Sequence, residues 1–150
     1  MVFKLDVGSK EKTYHVETAS EDFIGKKIGD KIPGKFIKEV KELEDYEFEI
    51  TGASDRAGLP ALKDVRGVGL KRVLMSYGTG MKKRARREGK KKRSNYRPKG
   101  LKLRKTVHGS TIDETIVQVN LKVVKTGSKA LKEIFKKEEK KEEVKEEKKD

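Results

Sequence analysis

Cysteine and tryptophan are absent from this 150-residue sequence, and histidine occurs only twice, as His15 and His108. Without cysteine there is no disulfide framework, no thiolate metal site and no cysteine nucleophile. Two histidines are too few for a histidine-rich metal centre. Apolar residues make up 33% of the chain, too little for a large core but enough for one compact module. No run approaches the roughly 18 apolar residues of a membrane span. The opening MVFKLDV lacks the basic region and apolar stretch of a secretory signal, so a cytoplasmic chain is expected. The glycine patterns of a P-loop and of a dinucleotide-binding turn are missing as well.

What the chain has in quantity is charge. Lys and Arg number 39 against 25 Asp and Glu, a net charge of +14. Residues 1–55 carry −4, residues 56–112 carry +17 and residues 113–150 carry +1. The middle third holds 19 bases and only two acids, Asp64 and Glu88. A basic block between near-neutral ends reads as a docking surface for a polyanion, either nucleic acid or an anionic membrane.

The first third shows period-two alternation. Phe3, Leu5 and Val7 alternate with Lys4 and Asp6, and Tyr14 and Val16 follow the turn Gly8-Ser9-Lys10, which predicts a hairpin. Residues 24–34 carry an Ile-Gly pattern and read as turns, with one helical turn beginning at Ser20. Tyr46, Phe48 and Ile50 predict a strand, and Val73-Leu74-Met75 another. The clearest strand is Thr115–Lys125, with Val117, Val119, Leu121 and Val123 on one face and Gln118, Asn120 and Lys122 on the other. The expected fold is therefore mainly β, a small antiparallel sandwich or barrel. Residues 1–126 form the β domain. Residues 127–150 form a charged tail, partly helical: Leu131, Ile134 and Phe135 have helical spacing behind a Ser128 N-cap. Beyond Phe135 the run KKEEKKEE has period four, which places like charges at i, i+4 and predicts no stable helix.

The densest basic segment is MKKRARREGKKKR, residues 81–93, within an extension of about residues 78–105. Few aliphatic residues occur between 76 and 104, so a packed element is not expected there. Lys and Arg neutralise phosphates, and counterion release drives that binding. The residues assigned to RNA binding are Lys71, Arg72, Lys82, Lys83, Arg84, Arg86, Arg87, Lys90, Lys91, Lys92, Arg93, Tyr96, Arg97, Lys99, Lys102, Arg104 and Lys105. Tyr77 and Tyr96 interleave with the charge. Each ring either stacks on an unpaired base or closes an edge of the core. Tyr14 and Tyr46 belong to strand alternations and are core candidates.

The strand ending at Ile50 runs into a glycine–aspartate turn, with Gly52, Asp55, Gly58 and Pro60 as its structural residues. Asp55 is expected to accept backbone N–H groups, and Gly52 to take a positive φ. Neither histidine has a carboxylate or nucleophile at a recognisable spacing, so no catalytic residue, metal site or cofactor is predicted. The rival reading is a DNA-architectural or chromatin protein, although no recognition helix or zipper is evident.

Four motifs occur together in order: Ile50-Thr51-Gly52-Ala53-Ser54-Asp55-Arg56-Ala57-Gly58-Leu59-Pro60, Arg72-Val73-Leu74-Met75-Ser76-x-Gly78, Tyr96-Arg97-Pro98, and Arg104-Lys105-Thr106-Val107-His108-Gly109. With them the chain resembles the archaeal and eukaryotic small-subunit ribosomal protein S-six-e family over nearly all of residues 1–126. Ala53 stands where the family usually has a second glycine, and Ala61 where methionine is common. The plain Lys/Glu tail, with Ser128 as its one serine, resembles the archaeal form and lacks the phosphorylated serine cluster of eukaryotic members. The resemblance implies a β-barrel-like core and a structural, non-catalytic role in the small ribosomal subunit. It implies ribosomal RNA and neighbouring ribosomal proteins as partners, with neither a membrane nor a small-molecule substrate.

Overall fold

The computed structural model describes residues 2–9, 12–81, 99–127 and 129–135. Seven strands occur among them: β1 (Phe3–Gly8), β2 (Thr13–Thr18), β3 (Lys31–Pro33), β4 (Glu47–Asp55), β5 (Leu70–Ser76), β6 (Lys102–His108) and β7 (Ile116–Lys125). Five form one sheet in the order β2-β1-β7-β4-β3, and β5 pairs with β6 as a separate two-stranded ribbon. All pairs are antiparallel except β1 with β7. The fold is mainly β as expected, but the sheet stays open and does not close into a barrel.

Alternation makes the main sheet one-sided. Phe3, Leu5 and Val7 of β1, Phe48 and Ile50 of β4, and Val119 and Leu121 of β7 are buried on one face. The opposite face carries Lys4, His15, Glu17, Asn120 and Lys122, all exposed. Residues 20–46 cover the apolar face. They contain three single-turn 3-10 helices, Glu21–Phe23, Gly34–Phe36 and Lys41–Leu43, which contribute Phe23 and Leu43 to the core. The first of them is the helical turn predicted after Ser20. A short helix, residues 131–135, closes the same core with Leu131, Ile134 and Phe135. Phe135 stacks on Tyr14, with ring centroids 4.4 Å apart and planes within 9°. Tyr46 is fully buried, and its hydroxyl donates to the carbonyl of Lys129. The Ser128 cap and the tail beyond Phe135 lie outside the described residues.

Besides Lys31–Pro33, read as turns but paired with β4 as β3, three sequence expectations change. First, β4 does not end at Ile50 but runs to Asp55, and Gly52 is not a turn residue. Ile50 opposes Leu121 and Gly52 opposes Asn120, so Thr51 is the extra residue of a bulge. The bulge inverts the alternation and turns Ala53 into the core. Gly52 is not among the positive-φ glycines. Second, the bulge where Asp55 opposes Ile116 buries Ile116 fully and leaves Val117 only half-buried. Third, β6 begins at Lys102, inside the 76–104 stretch where no packed element was expected, and Met81 in the same stretch is fully buried. Residues 76–81 and 102–105 therefore carry packed structure that their sparse aliphatics did not announce.

Candidate nucleic-acid interface

The ribbon is seated on the body by the chain on either side of it. The turn after β4 is built on Asp55: its carbonyl accepts from Gly58 N at 3.0 Å, and its Oδ1 accepts from Leu59 N at 2.7 Å. Gly58 takes φ +77°, which a side-chain-bearing residue would resist. Pro60 then accepts from His108 N at 2.9 Å, and Leu62 N donates to the His108 carbonyl at 3.2 Å. Beyond the ribbon, Ser110 N donates to Val65 O at 2.6 Å and Gly109 N to Gly69 O at 3.0 Å, while Ile28 N donates back to Ser110 O at 2.9 Å. Residues 108–112 are thus the point where the 24–30 turns, the 60–69 loop and the ribbon meet.

One buried side-chain pair locks this junction. His108 is 3% exposed, and its Nε2 lies 3.1 Å from Asp55 Oδ2. A carboxylate only accepts, so the ring donates from this nitrogen. Burial pushes the Asp55 carboxyl up, but the N–H of Leu59 and the His108 ring outweigh it and hold its pKa below the ordinary range. Sequence spacing offered no carboxylate partner for His108, and the fold supplies one. His15 also has one, Asp6, directly across β1–β2, with Nδ1 and Oδ1 2.5 Å apart. Both pairs span strands, and sequence spacing does not reveal either.

Register divides the predicted contact residues between the two faces of the ribbon. Leu70 opposes His108, Arg72 opposes Thr106, Leu74 opposes Arg104 and Ser76 opposes Lys102. Arg72, Lys102 and Arg104 therefore share one face with Leu70, Leu74 and Ser76, and all six are exposed. Lys71 and Lys105 lie on the other face with Val73, Met75, Leu103 and the buried Val107. Lys71 Nζ is tied to the Arg66 carbonyl at 2.5 Å. Lys99 is exposed just before the ribbon. Lys82, Lys83, Arg84, Arg86, Arg87, Lys90, Lys91, Lys92, Arg93, Tyr96 and Arg97 lie outside the described residues, and Tyr77 is half-buried.

Three further cations, Arg56, Lys63 and Arg66, were not among the residues the sequence singled out. All are exposed in the loop between β4 and β5, and none forms an ion pair among the described residues. Each stands outside the dense basic run, so only their place beside the ribbon base draws attention to them. A broad groove lined by residues such as Thr13, Gln118, Asn120 and Lys129 shares no residue with the ribbon. No helix among the described residues is long and apolar enough to cross a membrane.

These features define a small β-sheet protein with a separate, cation-faced β-ribbon. Residues 3–136 match the family model of ribosomal protein S6e, and the chain belongs to that family. It is 40% identical over 133 residues to small ribosomal subunit protein eS6 of Methanococcus maripaludis, covering 87% of this chain and 94% of the relative. The eS6 protein of Methanothermobacter thermautotrophicus is 36% identical over 137 residues, 89% of this chain and 95% of the relative. That of Archaeoglobus fulgidus is 41% identical over 118 residues, 77% and 78% of the two chains. The relatives are archaeal, as the plain tail suggested, and the family is structural rather than enzymatic.

Proposed function

We propose that the chain is a structural constituent of the small ribosomal subunit, in the cytoplasm, and that its basic middle third holds ribosomal RNA. Family membership and the relatives' own place in the small subunit support the ribosomal part. One observation carries the RNA-binding part. Both ribbon strands lead into residues 82–98, which hold ten bases and one acid, and the ribbon cations Arg72, Lys102 and Arg104 have no carboxylate partner among the described residues. Cations at that density release counterions when they meet a phosphate backbone. Phosphate contacts position the protein, and the shape of the folded RNA supplies specificity.

The test is binding to small-subunit RNA as a function of salt. Replacing Lys90, Lys91, Lys92 and Arg93 by Gln is expected to weaken binding across many RNA sequences. It should also flatten log K against log salt by up to about 0.7–0.9 for each phosphate that is no longer neutralised. Parallel lines for wild type and variant would remove these residues from the interface. Competition with duplex DNA at equal salt separates this reading from a chromatin protein, and sedimentation of a native lysate shows whether the chain travels with the small subunit.

A further inference from the structure

The outer face of the ribbon carries more than charge. Val68, Leu70 and Leu74 are 56%, 55% and 56% exposed, and they make up half of the six large hydrophobics that stand exposed among the described residues. Leu70 and Leu74 lie on the same face as Arg72, Lys102 and Arg104, so the apolar and cationic groups form one surface. Leucine offers phosphate nothing, so charge neutralisation alone does not account for this face.

The pattern decides between kinds of partner. A protein interface has a contiguous, charge-depleted apolar centre. Here Arg72 separates Leu70 from Leu74 along the strand, and Arg104 stands directly opposite Leu74. The apolar groups on this face are therefore interrupted by charge. A single-stranded nucleic acid is held on aromatic platforms. Among the described residues the only ring on this face is that of His108, which is buried against Asp55. Isolated apolar contacts between cations, with the hydroxyls of Ser76 and Thr106 on the same face, match a surface where sugars and phosphates alternate. The wide, shallow minor groove of A-form RNA is such a surface, rich in ribose and 2′-hydroxyls. The minor groove of B-DNA is narrower, about 6 Å, and carries no 2′-hydroxyl, while its major groove does admit a two-stranded ribbon, so the DNA duplex is the control that tests this assignment.

We propose that the outer face of the β5–β6 ribbon docks across the minor groove of an RNA duplex. Leu70 and Leu74 pack on ribose, and Arg72, Lys102 and Arg104 reach the flanking phosphates. The proposal rests on the RNA-binding reading and adds to it the form of RNA and the residues that recognise that form.

The experiment uses the full chain with three probes of equal length: an RNA duplex, the DNA duplex of the same sequence and one RNA strand alone. Two variants are compared with wild type, Leu70→Ser/Leu74→Ser and Arg72→Gln/Arg104→Gln. The leucine pair is expected to lose roughly tenfold or more on the RNA duplex, with an unchanged salt slope, because apolar groups release no counterions. Its loss on the DNA duplex and the single strand should be much smaller. The arginine pair should flatten the slope on the RNA duplex by up to about 1.8. Both leucines are more than half exposed, so an unchanged melting temperature is expected and serves as the folding control. Wild-type binding with no salt dependence would sink the RNA-binding reading itself. Full binding of the leucine variant to the RNA duplex would sink only this proposal; if that variant also failed to join the small subunit, the face would belong to a protein neighbour. Equal losses on all three probes would refute the minor-groove assignment.

Discussion

A methyl group added at Gly109 would lie 1.9 Å from the carbonyl oxygen of Gly67, inside any allowed contact. That atom is backbone, and it is held there by Thr111 N, which donates to it at 3.3 Å. Gly109→Ala is therefore expected to force the 60–69 loop off the ribbon base and to cost about 3 kcal/mol or more in thermal or denaturant unfolding. Gly52 behaves oppositely. Its added methyl would meet only Asn120 Nδ2 at 3.7 Å, an ordinary contact, and its φ is not positive. Gly52→Ala should be neutral or stabilising by about 0.4–1 kcal/mol. A large destabilisation at Gly52, or none at Gly109, would contradict the packing described. Asp55 makes a third residue-scale prediction. Its folded pKa is depressed, so the stability it contributes is present above its unfolded value, 3.8, and is lost as pH falls through the lower folded value. Asp55→Asn should cost about 1 kcal/mol at neutral pH and reduce the fall of melting temperature below about pH 4. Asp22, held low by Ser20 and Lys38, titrates in the same window, so the fall shrinks without vanishing. An unchanged acid limb would show that the Asp55–His108 link contributes nothing. Asp55 accepting from Leu59 was legible in the sequence because Asx chemistry is local, four residues apart. Its bond to His108 was not, because 53 residues separate the partners and a histidine among bases announces no carboxylate.

At the scale of elements, legibility followed one-sidedness. β1, β2, β4 and β7 each bury one face, so their alternation shows in the residues. Where two strands differ by one residue, the partner decides and the pattern of one strand misleads. The Thr51 bulge and the exchange of Ile116 for Val117 are both of this kind. β6 escaped because it mixes Lys102, Arg104 and Lys105 with Leu103 and Val107, as expected for a ribbon with neither face wholly covered. The closing helix was legible from i, i+3, i+4 spacing, and its packing is specific. Phe135 is 6% exposed and lies flat on Tyr14. Phe135→Ala should cost about 3 kcal/mol, the low end for a buried Phe because so short a helix can settle into the gap. Hydrogen exchange should then speed up at residues 131–135 and leave β1 and β7 protected. Equal acceleration in the central strands would mean that the helix is part of one cooperative unit with the sheet.

Taken whole, the molecule separates stability from charge. The first strand and the last lie side by side in the sheet, so the core cannot form until β7 is in place. Among the described residues, the main core cluster draws on residues 3–61 and 112–135 and takes none from 62–81 or 99–111. Residues 62–111 carry +16, more than the whole net excess of +14, and their hold on the body comes from backbone bonds at residues 108–112 and the Asp55–His108 pair. Self-repulsion among clustered bases destabilises a compact state, so removing some of them relieves part of that cost. The prediction is separability. Replacing residues 82–98 by a short Gly-Ser turn removes ten bases and one acid and takes the chain from +14 to +5. Unfolding should stay cooperative, with a change in stability within about 1 kcal/mol, because none of the described main-core side chains is touched and less positive charge is crowded together. RNA affinity should fall steeply at low salt and little at high salt, because what disappears is counterion release. Residual binding should still respond to Arg72→Gln and Arg104→Gln, since the ribbon that presents them remains. Loss of the folded sheet in this variant would show that residues 82–98 carry stability, and the division of labour between core and basic segment would be wrong.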